Sequence, residues 1–107
     1  KNQCVVVVSG AVDYVVLGAV IAKVANGHPM MTRVTGLGCT ASALCGAFAA
    51  VENDIVSAAV QAMAVTGLAG ELAAAKAAGP ASLQMHFLDV LYNLTAADIC
   101  DNLKVEV

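Results

Sequence analysis

Tryptophan is absent, and two Tyr and two Phe make up the 4% aromatic content of the 107-residue chain. A core without large rings must be built from Ala, Val and Leu, whose small side chains pack elements closely but bury little area each. Charge is equally sparse at 12%, with five Lys and Arg against eight Asp and Glu for a formal net charge of -3. A nucleic-acid module needs a concentrated basic face, and none is present. Disorder is excluded as well, because hydrophobic residues reach 60%. The length suits one small domain and leaves no room for two.

A mean hydropathy of +0.81 raises the question of a membrane span. The best candidate, Ile55 to Gly70, carries no charge but is diluted by Ser57, Gln61, Thr66 and Gly67. It is also shorter than the usual span of about 20 residues. The run from Val5 to Ala25 is cut by Ser9, Gly10, Asp13 and Gly18. The favoured reading is a chain whose elements are covered on both faces, as inside a larger α/β protein or an oligomer. The chain begins with Lys1, not Met, and enters a strand almost at once, which is expected of a fragment. Polar Asn2 and Gln3 after Lys1 do not fit a signal peptide.

The cysteines, Cys4, Cys39, Cys45 and Cys100, form no CxxC pair, which argues against a zinc ribbon or a thioredoxin-like motif. Disulfide scaffolds are loop-rich and poor in apolar residues, so reduced thiols in a cytoplasmic protein are expected. The two His, His28 and His86, show no ligand spacing, and no metal site is expected from this chain's residues.

Cys4 to Val8 reads as a short buried strand stopped by Ser9-Gly10. Val12 to Val16 and Ala19 to Val24 follow as further strands of a β-meander or hairpin, with Gly18 in the turn. Asn26-Gly27-His28-Pro29 reads as loop. From Thr40 to Val51 the pattern predicts a helix buried on most sides. Asp54 is a candidate N-cap for a helix from Ile55 to about Ala78, in which Gly67 and Gly70 either weaken the helical pattern or mark a close helix crossing. Gly79-Pro80 ends it, Ser82 caps a third helix with a stripe of Phe87, Leu88, Leu91 and Leu94, and Thr95 caps a last short one through Cys100. No internal repeat or linker appears.

Gly36-Leu37-Gly38-Cys39 stands where a loop enters a helix. Glycine lets the backbone turn tightly and approach a ligand. The first N–H groups of a helix lack internal partners, and with the helix dipole they form an anion-binding pocket. A helix N-terminus also favours thiolate over thiol, which makes Cys39 a candidate proton acceptor beside bound phosphate. No Lys-Ser/Thr pair follows, so this is not a Walker A loop. The alternative is a structural turn followed by a buried Cys.

Ser9-Gly10-Ala11-Val12-Asp13-Tyr14-Val15, Asn26-Gly27-His28-Pro29-Met30-Met31-Thr32, Val34-Thr35-Gly36-Leu37-Gly38-Cys39 and Gly79-Pro80-Ala81-Ser82 with Phe87-Leu88-Asp89-Val90-Leu91-Tyr92 together resemble the hydroxyethylthiazole kinase family. The order and spacing match along nearly the whole chain, which resembles the family's C-terminal portion. The resemblance implies a ribokinase-like α/β fold, here short strands or a hairpin followed by three to four helices, as one part of a single kinase domain. It implies ATP- and magnesium-dependent phosphorylation of the hydroxyl of 4-methyl-5-(2-hydroxyethyl)thiazole in thiamine salvage. The implied partners are that alcohol, ATP and either a homotrimer with active sites between subunits or the upstream part of the same protein, with no nucleic acid and no membrane.

Carried over residue by residue, the resemblance makes Cys39 the catalytic residue, Ser9 an ATP contact and Gly36 a substrate contact. Gly36, Leu37, Gly38 and Cys39 make up the anion hole. The chain departs from the family pattern at Leu37, where Thr is usual, and at Ala11, where Glu is usual. It departs again at Ala81 and Leu83, where Gly and Phe are usual, and at Leu17-Gly18, where Asp-Gly is expected. The family's magnesium-associated Asn-x-x-Glu motif and a basic ATP contact are expected upstream of residue 1. The competing reading is a degenerate or split non-catalytic domain of the same fold, acting in oligomerisation or binding.

The remaining polar residues have plain readings. His28 is expected to be solvated or bonded to backbone. Asp13 is expected to hold its hairpin by an Asx-type bond, with a place near the nucleotide as the alternative. Arg33 meets either phosphate or a carboxylate. Glu71 and Lys76 read as a solvated helix face, the scattered Met as core filling, and Cys45 and Cys100 as small buried hydrophobes.

Overall fold

The computed structural model describes residues 4–106. The chain opens as an antiparallel meander of β1 (Val6–Val8), β2 (Asp13–Leu17) and β3 (Val20–Val24). Branched side chains suit the pleat. Gly18 takes a φ of +57° in the tight turn that pairs Leu17 with Val20. The register places Val7 beside Val15 and Val15 beside Ala22 on one face. That face packs on the helix below, where Val15, Ala22 and Ala59 form one cluster. The opposite face leaves Val6, Val8, Tyr14 and Ile21 exposed. Among the described residues the valine run is covered on one face only, because only alternate residues reach a helix.

The central element is α2 (Ile55–Ala74), flanked by α1 (Leu37–Val51) and α3 (Pro80–Asn93). The Asp54 carboxylate accepts the Val56 and Ser57 N–H groups at 3.0 and 3.3 Å, the expected N-cap. α2 is long and apolar enough to cross a membrane, yet 56% of that window is buried within the chain. It stops at Ala74, ahead of the expected Ala78. The reason is local: Lys76 N–H and Ala77 N–H donate to Ala73 O and Ala74 O, three residues back, and this tightened turn ends the helix. Gly67 and Gly70 do mark a close approach: the Asn26 backbone lies against the first, and the Met31 side chain, from the short 3₁₀ helix Pro29–Arg33, against the second.

α3 begins at Pro80, and Ser82 acts from inside its first turn: its Oγ accepts the Ala78 and Gly79 N–H groups at 2.9 and 3.2 Å. Leu83, Phe87 and Val90 point into the main core with Ala69 and Ala73 of α2. Leu88, expected in that stripe, is 59% exposed, because positions 83, 87 and 90 define the inward face. α1 was expected to be buried on most sides, yet none of its residues is buried. It packs along one side, where Leu37, Ala41 and Cys45 lie partly buried against the core clusters, and its opposite side is exposed. Thr95 caps α4 (Ala96–Asn102) through a reciprocal box with Asp98. Cys100 in α4 is exposed, contrary to expectation, and so is Met85 in α3. A fourth strand, β4 (Val105–Glu106), returns to pair with β3 and completes the sheet order β1-β2-β3-β4.

Candidate functional site

The β1–β2 turn, the segment after β3 and the start of α1 enclose a cleft of about 600 Å3, floored by Met63, Thr66 and Gly67 of α2. Each wall has a local cause. Asp13 opens β2 buried, and its Oδ1 accepts the Gly10 N–H at 3.0 Å. This is the hairpin-holding bond expected of it, and it fixes the turn that carries Ser9. Burial raises the Asp13 pKa above its ordinary value, against the opposing pull of the Gly10 N–H. Ser9 itself is exposed and lines the cleft.

The second wall is Asn26 to Pro29. The chain there is more ordered than a loop: Pro29–Arg33 forms a 3₁₀ turn, with Pro29 in its first turn. The exposed His28 accepts the Met30 N–H on Nδ1 at 3.1 Å, so it is bonded to backbone as expected. Arg33 is exposed, does not line the cleft, and pairs with no carboxylate among the described residues.

The third wall is the N-terminus of α1. Gly36 is its N-cap with a φ of +90°, a conformation that side chains with a Cβ rarely adopt. The first helical bond is Thr40 N–H to Gly36 O at 3.0 Å, and no side chain caps this end. The N–H groups of Leu37, Gly38 and Cys39 precede that bond and stand at the positive end of the helix dipole. Such a turn can receive an anion.

Ser9, Leu37 and Gly38 thus line one cleft, whereas Gly36 and Cys39 flank it without lining it. Cys39 is exposed, not the buried residue of a purely structural turn. Cys45 sits two turns further along α1, half-buried, and burial pushes its thiol pKa up. The Leu37 side chain packs against the α2–α3 core cluster while bordering the cleft. Among the described residues, no three His, Cys, Asp or Glu side chains come together.

Glu71, expected on a solvated helix face, instead stands at only 18% side-chain exposure among hydrogen-bond donors. Its carboxylate accepts the Gly27 N–H at 2.8 Å and pairs with Lys104 Nζ at 3.2 Å. The Gly27 N–H, the Asn26 amide and the Lys104 ammonium, gathered on one side of the helix, hold it there. Its one usable signal in the sequence was being the single charged residue of α2. Asn26, buried beside it, was missed for the same reason: Asn-Gly at a strand end signals a turn and nothing more.

The sequence pattern of the hydroxyethylthiazole kinase family matches residues 1–97. The chain is 59% identical over 100 residues to a hydroxyethylthiazole kinase of Syntrophus aciditrophicus, covering 94% of this chain and 37% of that protein. It is 62% identical over 96 residues to one of Granulibacter bethesdensis, covering 90% of this chain and 35% of the relative. The solved structure of a hydroxyethylthiazole kinase from Pyrococcus horikoshii superimposes with a TM-score of 0.91 at 38% identity, covering 97% of this chain and 41% of that one. The chain therefore spans a little over a third of the length of the curated relatives it matches.

Proposed function

The chain belongs to the hydroxyethylthiazole kinase family, and on that premise we propose that it is the C-terminal portion of a single ribokinase-like kinase domain. In this reading the domain transfers the γ-phosphoryl group of ATP to the hydroxyl of 4-methyl-5-(2-hydroxyethyl)thiazole, in the cytoplasm. The observation that carries it is the left-handed Gly36, which frees three N–H groups at the head of α1 beside a cleft that Ser9 borders.

Charge in phosphoryl transfer is spread over the phosphate oxygens, so fixed backbone donors stabilise it without reorganising. Those donors survive the Leu37 side chain, because they belong to the main chain. Ser9 contacts ATP across the cleft, Gly36 contacts the alcohol, and Gly36, Leu37, Gly38 and Cys39 form the anion hole. The alcohol oxygen attacks the γ-phosphorus, the bond to the ADP oxygen breaks, and the hydroxyl proton passes to the Cys39 sulfur. Magnesium would neutralise phosphate charge in such a reaction. The residues described do not fit a magnesium site, since their acidic, His and Cys side chains do not converge and Asp13 is committed to Gly10. A homotrimer, or the upstream part of the same protein, would cover the exposed faces of β1 and α1.

One observation favours the non-catalytic reading: Leu37 spends its side chain on the α2–α3 core where the family's usual Thr would offer a hydroxyl. Turnover decides between the two. The whole protein carrying this chain is incubated with ATP, magnesium and the thiazole alcohol, and the phosphate ester is read by mass spectrometry. Ester formation is expected. Cys39→Ser is expected to lower kcat by at least about tenfold with nucleotide affinity kept. A folded protein that forms no ester supports the binding or oligomerisation role.

A further inference from the structure

The Asn26-Gly27-His28-Pro29 segment lines the cleft, and the lone α2 carboxylate stands behind it; neither has a part in the chemistry above. Asn26 is 4% exposed and follows the β3 ladder, where Ala25 N–H still donates to Lys104 O at 2.8 Å. Its Oδ1 accepts the Lys104 N–H at 2.8 Å, and its Nδ2 donates to Asn102 O at 2.9 Å. The same Nδ2 lies 3.3 and 3.4 Å from the two Glu71 carboxylate oxygens. Glu71 then takes the Gly27 N–H at 2.8 Å and Lys104 Nζ at 3.2 Å. α2 permits the approach at Gly67, one turn before Glu71, where a Cβ would lie 2.5 Å from Asn26 O.

We propose that Glu71 is a positioning residue for the nucleotide: it holds the Gly27–Pro29 wall of the cleft against α2 and couples that wall to β4 through Lys104. The proposal rests on the kinase reading. The cleft is the nucleotide's side of that site, because Ser9, the expected ATP contact, lines it while Gly36 and Cys39 only flank it. Its wall needs an external tie. Gly27 has a φ of +139°, a backbone free to rotate once released. The other bonds of Gly27–Pro29 stay within the segment and the turn that follows it: His28 N–H to Met31 Sδ at 3.4 Å, Met30 N–H to His28 Nδ1 at 3.1 Å, Met31 N–H to His28 O at 3.0 Å and Thr32 Oγ1 to Pro29 O at 2.9 Å. Sulfur is a weak acceptor, and none of these bonds reaches α2. The carboxylate bond is short and charge-assisted, so it is the stronger hold.

The experiment compares the whole protein with its Glu71→Ala and Glu71→Gln variants. Glu71→Ala should raise KM for ATP about tenfold and leave KM for the alcohol and kcat within about twofold. Glu71→Gln keeps an oxygen for the Gly27 N–H and should recover most of the loss. The Gly27 amide proton, read by NMR, should move upfield in Glu71→Ala and return partway in Glu71→Gln, as expected when a carboxylate bond is lost and a neutral one replaces it. If Glu71→Ala does not fold, Glu71→Gln with its KM and its amide signal carries the test. An unchanged KM for ATP in folded Glu71→Ala, or a fall in kcat with KM kept, overturns the proposal. Should the parent protein form no ester, the kinase reading fails on its own. ATP affinity by calorimetry and the Gly27 signal then still decide whether Glu71 positions a nucleotide wall.

Discussion

α1 and α2 are adjacent helices with almost no charge: α1 has none and α2 has only Glu71. Eleven residues of α2 are buried and none of α1 is. The difference lies in their surroundings. α2 is enclosed by the sheet, by α3, by α1 and by the segment after β3, whereas α1 touches α2 with one side. Apolar composition therefore does not by itself say whether a helix is covered within its own chain. The exposed helix is also the one that presents free N–H groups, which a ligand can reach only if packing leaves that end open. The buried helix contributes the frame: the cleft floor, the Gly67 approach and the Glu71 tie.

The largest test of this contrast pairs Phe87→Ala with Val51→Ala. Phe87 is 1% exposed in the α2–α3 core, and Val51 at the end of α1 is 81% exposed. Removing a buried ring costs about 3–5 kcal/mol, and trimming a free surface side chain changes stability by less than about 0.5 kcal/mol. Chemical unfolding of the whole protein reads both. A Val51→Ala loss that approaches the Phe87→Ala loss would show α1 covered in the assembled protein, and the contrast would then belong to this chain alone.

A second pair sharpens it with glycines in the two helices. At Gly67 a Cβ would lie 2.5 Å from the Asn26 carbonyl oxygen, and backbone cannot yield as a side-chain tip can. Gly67→Ala is expected to cost about 1–3 kcal/mol. At Gly46 of α1 a Cβ meets open space. Gly46→Ala should then gain about 0.5–1 kcal/mol from helix propensity. A loss at Gly46 in the same unfolding experiment would mean that another element packs there in the whole protein.

The features legible in the sequence are those whose cause is local. Asp54 and Thr95 cap their helices because an oxygen at that position meets N–H groups two or three residues on. The meander was legible from branched runs broken by Ser9-Gly10 and Gly18, and Gly36 from its place before a helix. What failed depends on partners far along the chain. The exposure of α1 depends on what stands beside it. β4 has two residues, and its place is set by pairing with β3 and by the bonds of Asn26 to Asn102 and Lys104. Glu71 looks like any helical surface charge until the Gly27 N–H and Lys104 are seen around it. Of the expected α3 stripe, Phe87, Leu91 and Leu94 do join the core, and Leu88 stands just off that face because one residue along a helix is a rotation of about 100°. Within the site, the sequence grouped Ser9 with the glycine turn, and both border one cleft, but the Asn26 wall was read only as a loop.

The two cysteines of α1 compare the open and covered sides of one helix. Cys39 is exposed at its head, while Cys45 is half-buried toward α2, and burial raises its pKa. Thiolate is the form that alkylates, so both access and ionisation disfavour Cys45. Limited iodoacetamide labelling near neutral pH, quantified by peptide mass spectrometry, should modify Cys39 at least about fivefold faster than Cys45. Equal rates would mean that α1 turns or frays enough to expose both sides. A faster Cys45 would mean that the head of α1 is covered in the whole protein.

The smallest expected effect lies at Asp13, a carboxylate buried beneath the open side of the site. Desolvation raises its folded pKa, and the Gly10 N–H, which favours the charged form, recovers only part of that. A carboxyl with a raised folded pKa binds its proton more tightly in the folded state than in the unfolded chain. Stability therefore falls as pH rises from the ordinary Asp value, about 3.9, through the folded value, and is level above it. Asp13→Asn removes this component and keeps an oxygen for the Gly10 N–H. Unfolding of the whole protein across that window should show the parent losing ground relative to Asp13→Asn as pH rises. The opposite slope, with the parent gaining, would mean that the charged bond to Gly10 outweighs burial. Asp13 would then stand in a wetter cleft, and the open side of the molecule would extend beneath Ser9.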